Sequence, residues 1–230
     1  MKERPILFSG EMVRAILAGR KTQTRRIMKP QPSCEFHPEQ NGVAYRYCPT
    51  RVDKRTGESF PGGEIYGVAD ENEDYPSRFG MPGDRLWVKE TFMPDPYVSG
   101  LFVYRATEEE PDKYIGHDWK PSIFMARRAN RITLQITGVR AERLQDISES
   151  DARAEGIEGR FHPKDCNCWT WKDYARSLQF KEDIFHYGSM VTPQSTYCSL
   201  WESINGHGSW LQNPWVWVIE FRMINGSNVK

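Results

Sequence analysis

Residues 215–223, Trp-Val-Trp-Val-Ile-Glu-Phe-Arg-Met, are apolar on both faces of an extended chain. Val216 and Val218 point one way, while Trp215, Trp217, Ile219 and Phe221 point the other. A strand with one face in water alternates apolar and polar, so this pattern predicts a central strand. Residues 131–137 alternate in the simpler way: Ile132, Leu134 and Ile136 face a core, and Arg131, Thr133, Gln135 and Thr137 face out or line a cleft. A third strand is predicted over residues 85–92, after the turn signal Met81-Pro82-Gly83-Asp84. In it Glu90 shares a side with Leu86, Val88 and Phe92, which marks a rim residue or, the favoured reading, a partly buried carboxylate with a partner that supports a site.

Two short helices flank these strands. Ser9 suits an N-cap, Glu11 the positive first turn, and Met12/Ile16 with Val13/Leu17 repeat on one face until Gly19 ends the helix. Ser148 and Asp151 are spaced as a capping box, Ile147 and Ala152 as a hydrophobic staple, and Gly156 is the natural stop. Glu155 is left in the last turn, where exposed carbonyls disfavour a carboxylate and raise its pKa, as suits a proton donor.

Directly after the first helix, residues 19–26, Gly-Arg-Lys-Thr-Gln-Thr-Arg-Arg, hold four cations, two threonines and an amide. Most charge runs are solvated faces. Here Arg20, Arg25 and Arg26 crowd Lys21, which disfavours its ammonium form, and a neutral lysine near a hydroxyl is a base-and-nucleophile pair. In a plain strand Lys21 and Thr24 point to opposite faces, so the chain must bend to bring them together.

The other segments are irregular. Residues 31–82, 93–130 and 158–199 read as excursions rich in turn residues with scattered aromatics; Trp171, Tyr174, Ala175 and Leu178 are spaced as a short helix, and residues 200–206 as another. Aromatics beside arginine in the last excursion suit core packing first and base stacking second. Thirty-one basic residues balance thirty-one acidic ones, so nucleic-acid contact must be local, through residues 20–29 or through Arg127, Arg128 and Arg131. No apolar run reaches membrane-span length and the N-terminus lacks a signal-peptide core, so a soluble cytoplasmic protein without a membrane partner is expected. Cys34, Cys48, Cys166, Cys168 and Cys198 are irregularly spaced, which fits free thiols. A zinc site drawing on Cys34, His37, Cys48, His162, Cys166 and Cys168 is the weaker reading, because paired Cys-x-x-Cys knuckles are absent.

The spacing Gly19-x-Lys21-x-x-Thr24-x-Arg26 resembles the signature of the ASCH domain family. The Ala154-Glu155-Gly156 segment, residues 83–90 (Pro-Gly-Asp-Arg-Leu-Trp-Val-Lys-Glu begins at Pro82) and the Val-Ile-Glu-Phe ending extend the likeness, toward the larger members often encoded by phages and prophages. The resemblance implies an α+β fold: a single PUA-like mixed β-barrel over residues 1–230, with core segments 5–28, 83–92, 131–157 and 215–223, flanking short helices and three long insertions. It also implies removal of the acetyl group from N4-acetylcytidine, with Thr24 as nucleophile, Lys21 as base and Glu155 as acid. Gly19 would shape the turn, and Arg20, Arg25, Arg26 and Glu90 would bind substrate or brace the loop. No cofactor is called for. The alternatives are a non-catalytic reader of RNA or a modified base, single-stranded rather than duplex, and a ribonuclease, each using the same cleft.

Overall fold

The computed structural model describes residues 1–109, 111–114, 116–162, 168–180, 184–187 and 192–226. In chain order the elements are β1 (Glu3–Leu7), α1 (Gly10–Leu17), β2 (Gln23–Ile27), β3 (Tyr45–Tyr47), β4 (Thr50–Val52), β5 (Ser59–Pro61), β6 (Ile65–Ala69), β7 (Asp74–Pro76), β8 (Arg85–Lys89), β9 (Phe92–Pro94) and β10 (Phe102–Tyr104). They continue with β11 (Ile132–Arg143), α2 (Glu149–Ala154), β12 (Gly159–His162), β13 (Cys168–Lys172), α3 (Tyr174–Phe180), β14 (Phe185–Tyr187), α4 (Pro193–Asn205) and β15 (Trp215–Gly226).

The organising layer is a five-stranded sheet in the order β1-β8-β11-β15-β2. β1 runs parallel to β8 and the other neighbours are antiparallel. β15 lies inside this sheet, and its two faces separate as expected. Trp215, Trp217, Ile219 and Phe221 join a core with Ile6, Val13, Leu86 and Leu134. Val216 and Val218 join a second core with Ala152, Tyr197, Leu200 and Trp201. Val216, Val218 and Ile219 are wholly buried, each worth about 1.5–3 kcal/mol of transfer free energy.

The fold is mixed α+β, but the expected barrel does not close among the described residues: β1 and β2 stand at opposite edges of the sheet. Between them the contact is a side chain, with Arg26 Nη2 donating to Leu7 O at 2.6 Å. Local patterning predicts strands, whereas closure depends on edge strands meeting, which no single segment encodes.

Three further corrections concern the segments between the core strands. The 31–82 excursion is part of the main core: Phe36 packs edge-on against Trp215 and Tyr75, and Val68 of β6 is fully buried. Trp171 belongs to β13 rather than to a helix, since its backbone pairs with β14, and α3 begins only at Tyr174. The helix expected over 200–206 starts earlier, at Pro193, where Thr192 and Ser195 form a reciprocal capping box. Among the described residues no helix is long and apolar enough to cross a membrane.

Candidate active site

Two capped turns bring the conspicuous segments together. Ser9 accepts a hydrogen bond from Met12 N at the start of α1, and Gly19 takes φ +70° just past its end. The N–H groups of Arg20 and Lys21 both reach back to Ala15 O, so the chain doubles under the helix before β2 begins. At the other segment Ser148 accepts from Asp151 N, α2 ends at Ala154, and Gly156 has φ +87°. Asp151 does not complete a capping box; its carboxylate turns to Arg140 at 2.8 Å and Arg25 at 3.2 Å.

Lys21 and Glu155 then pair as an isolated antiparallel bridge, and Thr22 N donates to Ala154 O at 2.8 Å. A Cβ on Gly156 would lie 2.8 Å from Lys21 Cβ and 2.9 Å from Ala15 Cβ. Only glycine permits this approach as well as the positive φ.

The side chains continue the contact. Lys21 Nζ donates to Glu155 Oε2 at 2.6 Å and to Glu155 O at 2.9 Å. Arg25 Nη1 donates to Glu155 Oε1 at 3.2 Å, and its Nη2 reaches Glu142 at 2.5 Å. The Lys21 and Arg25 side chains are 0% exposed and that of Glu155 2%. This is a buried network of cations and carboxylates, far from the surface ion pair that a charge run usually makes.

Burial pulls the Lys21 pKa below the usual lysine value, Glu155 pushes it back up, and Arg26 and Arg25 lower it further. The expected direction holds, but its largest cause is lost hydration rather than arginine crowding. Arg20 is not part of this environment: it donates to Gly156 O at 3.1 Å and lies 3.7 Å from Glu158. Glu155, expected in the last turn of α2, is its C-cap residue, and its carboxylate meets two cations at hydrogen-bond distance.

The Phe8 ring lies 5.7 Å from Lys21 Nζ and 5.2 Å from the Arg26 guanidinium. Thr24, opposite Ile219 on β15, has the same parity as Arg26 and lies on the same face of β2. Thr24, Arg25, Arg26 and Glu155 line a cleft of about 230 Å³, whose other wall is Tyr197, Leu200, Trp201 and Asn205 of α4. Lys21, whose amine bonds Glu155 Oε2, is not on the wall. That volume is below the ~300 Å³ typical of drug-sized sites. Two buried donors of the wall, Arg26 Nε and Trp201 Nε1, have no hydrogen-bond partner among the described residues.

Thus Lys21, Arg25 and Glu155 share one buried network, and Thr24, Arg25, Arg26 and Glu155 line one cleft; among the described residues no hydrogen bond joins Thr24 to Lys21 or Glu155. Glu90 does not join them. It is buried with a partner, as its strand position suggested, but the partner is Arg131, bound through both carboxylate oxygens at 2.9 and 2.8 Å. Arg131 also stacks on Tyr104 at 4.1 Å, and Arg127 is bound to Glu3, so the expected basic group 127–131 is largely engaged in the fold. The α4 wall and Phe8 were missed from sequence; the one available signal was Trp201 beside Tyr197 at helical spacing.

Among the described residues no group of three or more His, Cys, Asp or Glu side chains is placed to hold a metal ion. Cys34 and Cys48 are exposed, the His37 backbone binds Asp70, and the His162 ring meets Thr170; Cys166 lies outside the described residues. Compared with family models, curated proteins and solved structures, the chain matches none.

Proposed function

We propose that the cleft is the active site of an amidohydrolase acting on an acylated cytidine of the N4-acetylcytidine type, as the ASCH resemblance implies. The observation that carries this reading is the buried Lys21–Glu155 pair, 2.6 Å apart, whose glutamate lines one cleft together with Thr24. Moving one proton across that hydrogen bond turns an ammonium and a carboxylate into an amine base and a carboxylic acid, the two groups an amide hydrolysis needs.

In the proposed cycle Lys21 Nζ takes the Thr24 hydroxyl proton as Oγ bonds to the acyl carbon and the carbonyl electron pair moves to oxygen. The intermediate collapses, the C–N4 bond breaks, and Glu155 delivers its proton to the departing N4. Water then attacks the acyl-threonine and gives one proton to Glu155. Thr24 leaves, recovering its proton from Lys21, and cytidine and the free acid are the products. Arg26 and Trp201 supply N–H donors for substrate oxygens. Expansion of the amine's reach past Glu155 is the movement this scheme requires of the substrate-bound state.

The test is chromatographic detection of cytidine released from N4-acetylcytidine. Wild type is expected to release it, with kcat reduced about 10²- to 10⁴-fold in Lys21→Ala, Thr24→Val and Glu155→Gln. No release by wild type, or equal release by Lys21→Ala, sinks the proposal.

A further inference from the structure

A second concave surface lies on the 158–199 excursion, separate from the cleft but sharing the chain segment 153–158 with it. It is built on the β12-β13-β14 sheet. Trp169 and Trp171 stack with ring centroids 5.4 Å apart and planes 18° apart, and Phe161 lies 5.4 Å from Trp169 on the neighbouring strand. Trp171 is buried, but Trp169 and Phe161 remain 44% and 46% exposed. Apolar burial alone accounts for Trp171 and leaves the other two rings unexplained.

One cation, Arg153, lies over the two tryptophans, and a second, Arg160, packs on Phe185 of the same sheet. The Arg153 guanidinium lies 4.6 Å from the Trp171 centroid and 5.3 Å from Trp169, and Arg160 lies 4.0 Å from Phe185. Arg20 lines the same concavity. Among the described residues its lining carries Arg20, Arg153 and Arg160 against one carboxylate, Glu158, which already has Arg20 at 3.7 Å and Lys172 at 3.8 Å. In a chain of zero formal charge this is a positive excess among the described residues of the lining. Guanidinium groups laid on aromatic faces keep their N–H edges available for phosphate.

We infer that this surface binds a single-stranded polynucleotide, with Trp169 and Phe161 stacking on bases and Arg20, Arg153 and Arg160 meeting the backbone. Flat rings interleaved with arginines are what sequence-tolerant single-strand binding needs; a duplex hides its base faces. The inference deepens the proposed function, and rests on it only for the consequence that the acylated cytidine reaches the cleft within a strand. Arg20 and Arg153 stand next to Lys21 and before Glu155 in sequence, so a strand held here passes close to the site.

The test is fluorescence anisotropy of a labelled single-stranded RNA of about 12 nucleotides, with DNA and duplex RNA in parallel, at about 50 and 200 mM salt. Wild type is expected to bind single strands more tightly than duplex. Three backbone contacts give a log–log salt slope of roughly −2, and Arg160→Glu makes it shallower. Trp169→Ala is expected to weaken binding about 10-fold and Trp169→Phe to restore most of it. Equal RNA and DNA affinity supports base stacking without reading of the ribose; preference for RNA adds a 2′-hydroxyl contact. Absence of single-strand binding by wild type, binding indifferent to both substitutions, or duplex bound as tightly as single strand overturns the inference. Hydrolysis of free N4-acetylcytidine is read separately, with Trp169→Ala expected to leave it unchanged, so failure of the platform and failure of the catalytic reading give different results.

Discussion

Replacing Glu155 with glutamine should destabilise the protein far more than replacing Lys21 with methionine. Glu155→Gln keeps the shape but removes the carboxylate that Lys21 contacts at 2.6 Å and Arg25 at 3.2 Å. Arg25 retains Glu142 at 2.5 Å and Asp151 at 3.2 Å, so the loss falls on Lys21, which keeps neutral acceptors such as Glu155 O at 2.9 Å but no charged partner. Stripping a buried charge of its partner costs about 3–5 kcal/mol. Losing the lysine proton limits the penalty: from a reference pKa of ~10.4 to pH 7, deprotonation costs about 3.4 × 1.36, or ~4.6 kcal/mol. Both routes therefore give a few kcal/mol near neutrality.

Lys21→Met instead removes a desolvated ammonium, places an apolar chain beside Phe8, and leaves Glu155 bound to Arg25. A cost of about 0–2 kcal/mol is expected. The pH dependence follows from the direction of the lysine shift. A folded-state pKa below the unfolded one means that the unfolded chain binds more protons between the two values, so stability rises with pH through that window, up to about 10.4. Without Glu155, which raises the Lys21 pKa in wild type, the window opens at lower pH. The Glu155→Gln penalty should thus be largest at the acidic end and shrink as pH rises. Urea unfolding followed by tryptophan fluorescence from pH 6 to 10, with m-values compared, measures all of this. A Lys21→Met penalty equal to that of Glu155→Gln, or a Glu155→Gln penalty flat across that range, would refute the reasoning.

Gly156→Ala combines a positive-φ strain of about 1–2 kcal/mol with overpacking of about 1–3 kcal/mol against Lys21 and Ala15. Gly19→Ala has the strain alone, because nothing lies within 4 Å of its Cβ position, so urea midpoints should rank Gly156→Ala clearly lower and equal midpoints would count against the close approach. Glu90→Gln should cost about 3 kcal/mol by leaving Arg131 underpaired, while the kcat for N4-acetylcytidine stays at the wild-type value. A kcat loss comparable to that of Glu155→Gln would return Glu90 to the site.

Much of the local structure was legible before any coordinates. The two-faced apolar run at 215–223, the alternation at 131–137, the Ser9 and Ser148 caps and the Gly19 and Gly156 stops all appear where the sequence puts them, because each depends on neighbours a few residues apart. Trp171 shows the limit: its spacing with Tyr174 and Leu178 suits a helix, but pairing with β14 decided for a strand. Pairing partners distant in sequence override local preference.

The sequence by itself determined the strands around 85–92, 131–137 and 215–223 and the two short capped helices, that β15 is covered on both faces, and that Lys21, Thr24 and Glu155 are chemically conspicuous. Only the tertiary structure decided that Lys21 and Glu155, 134 residues apart, share a proton-bearing contact, that Glu90 belongs to Arg131, that α4 closes the cleft and that the sheet stays open. The physical reason is that propensity and capping act within a turn or two of chain. Desolvation, ion pairing and sheet closure are set by whatever the folded chain places alongside.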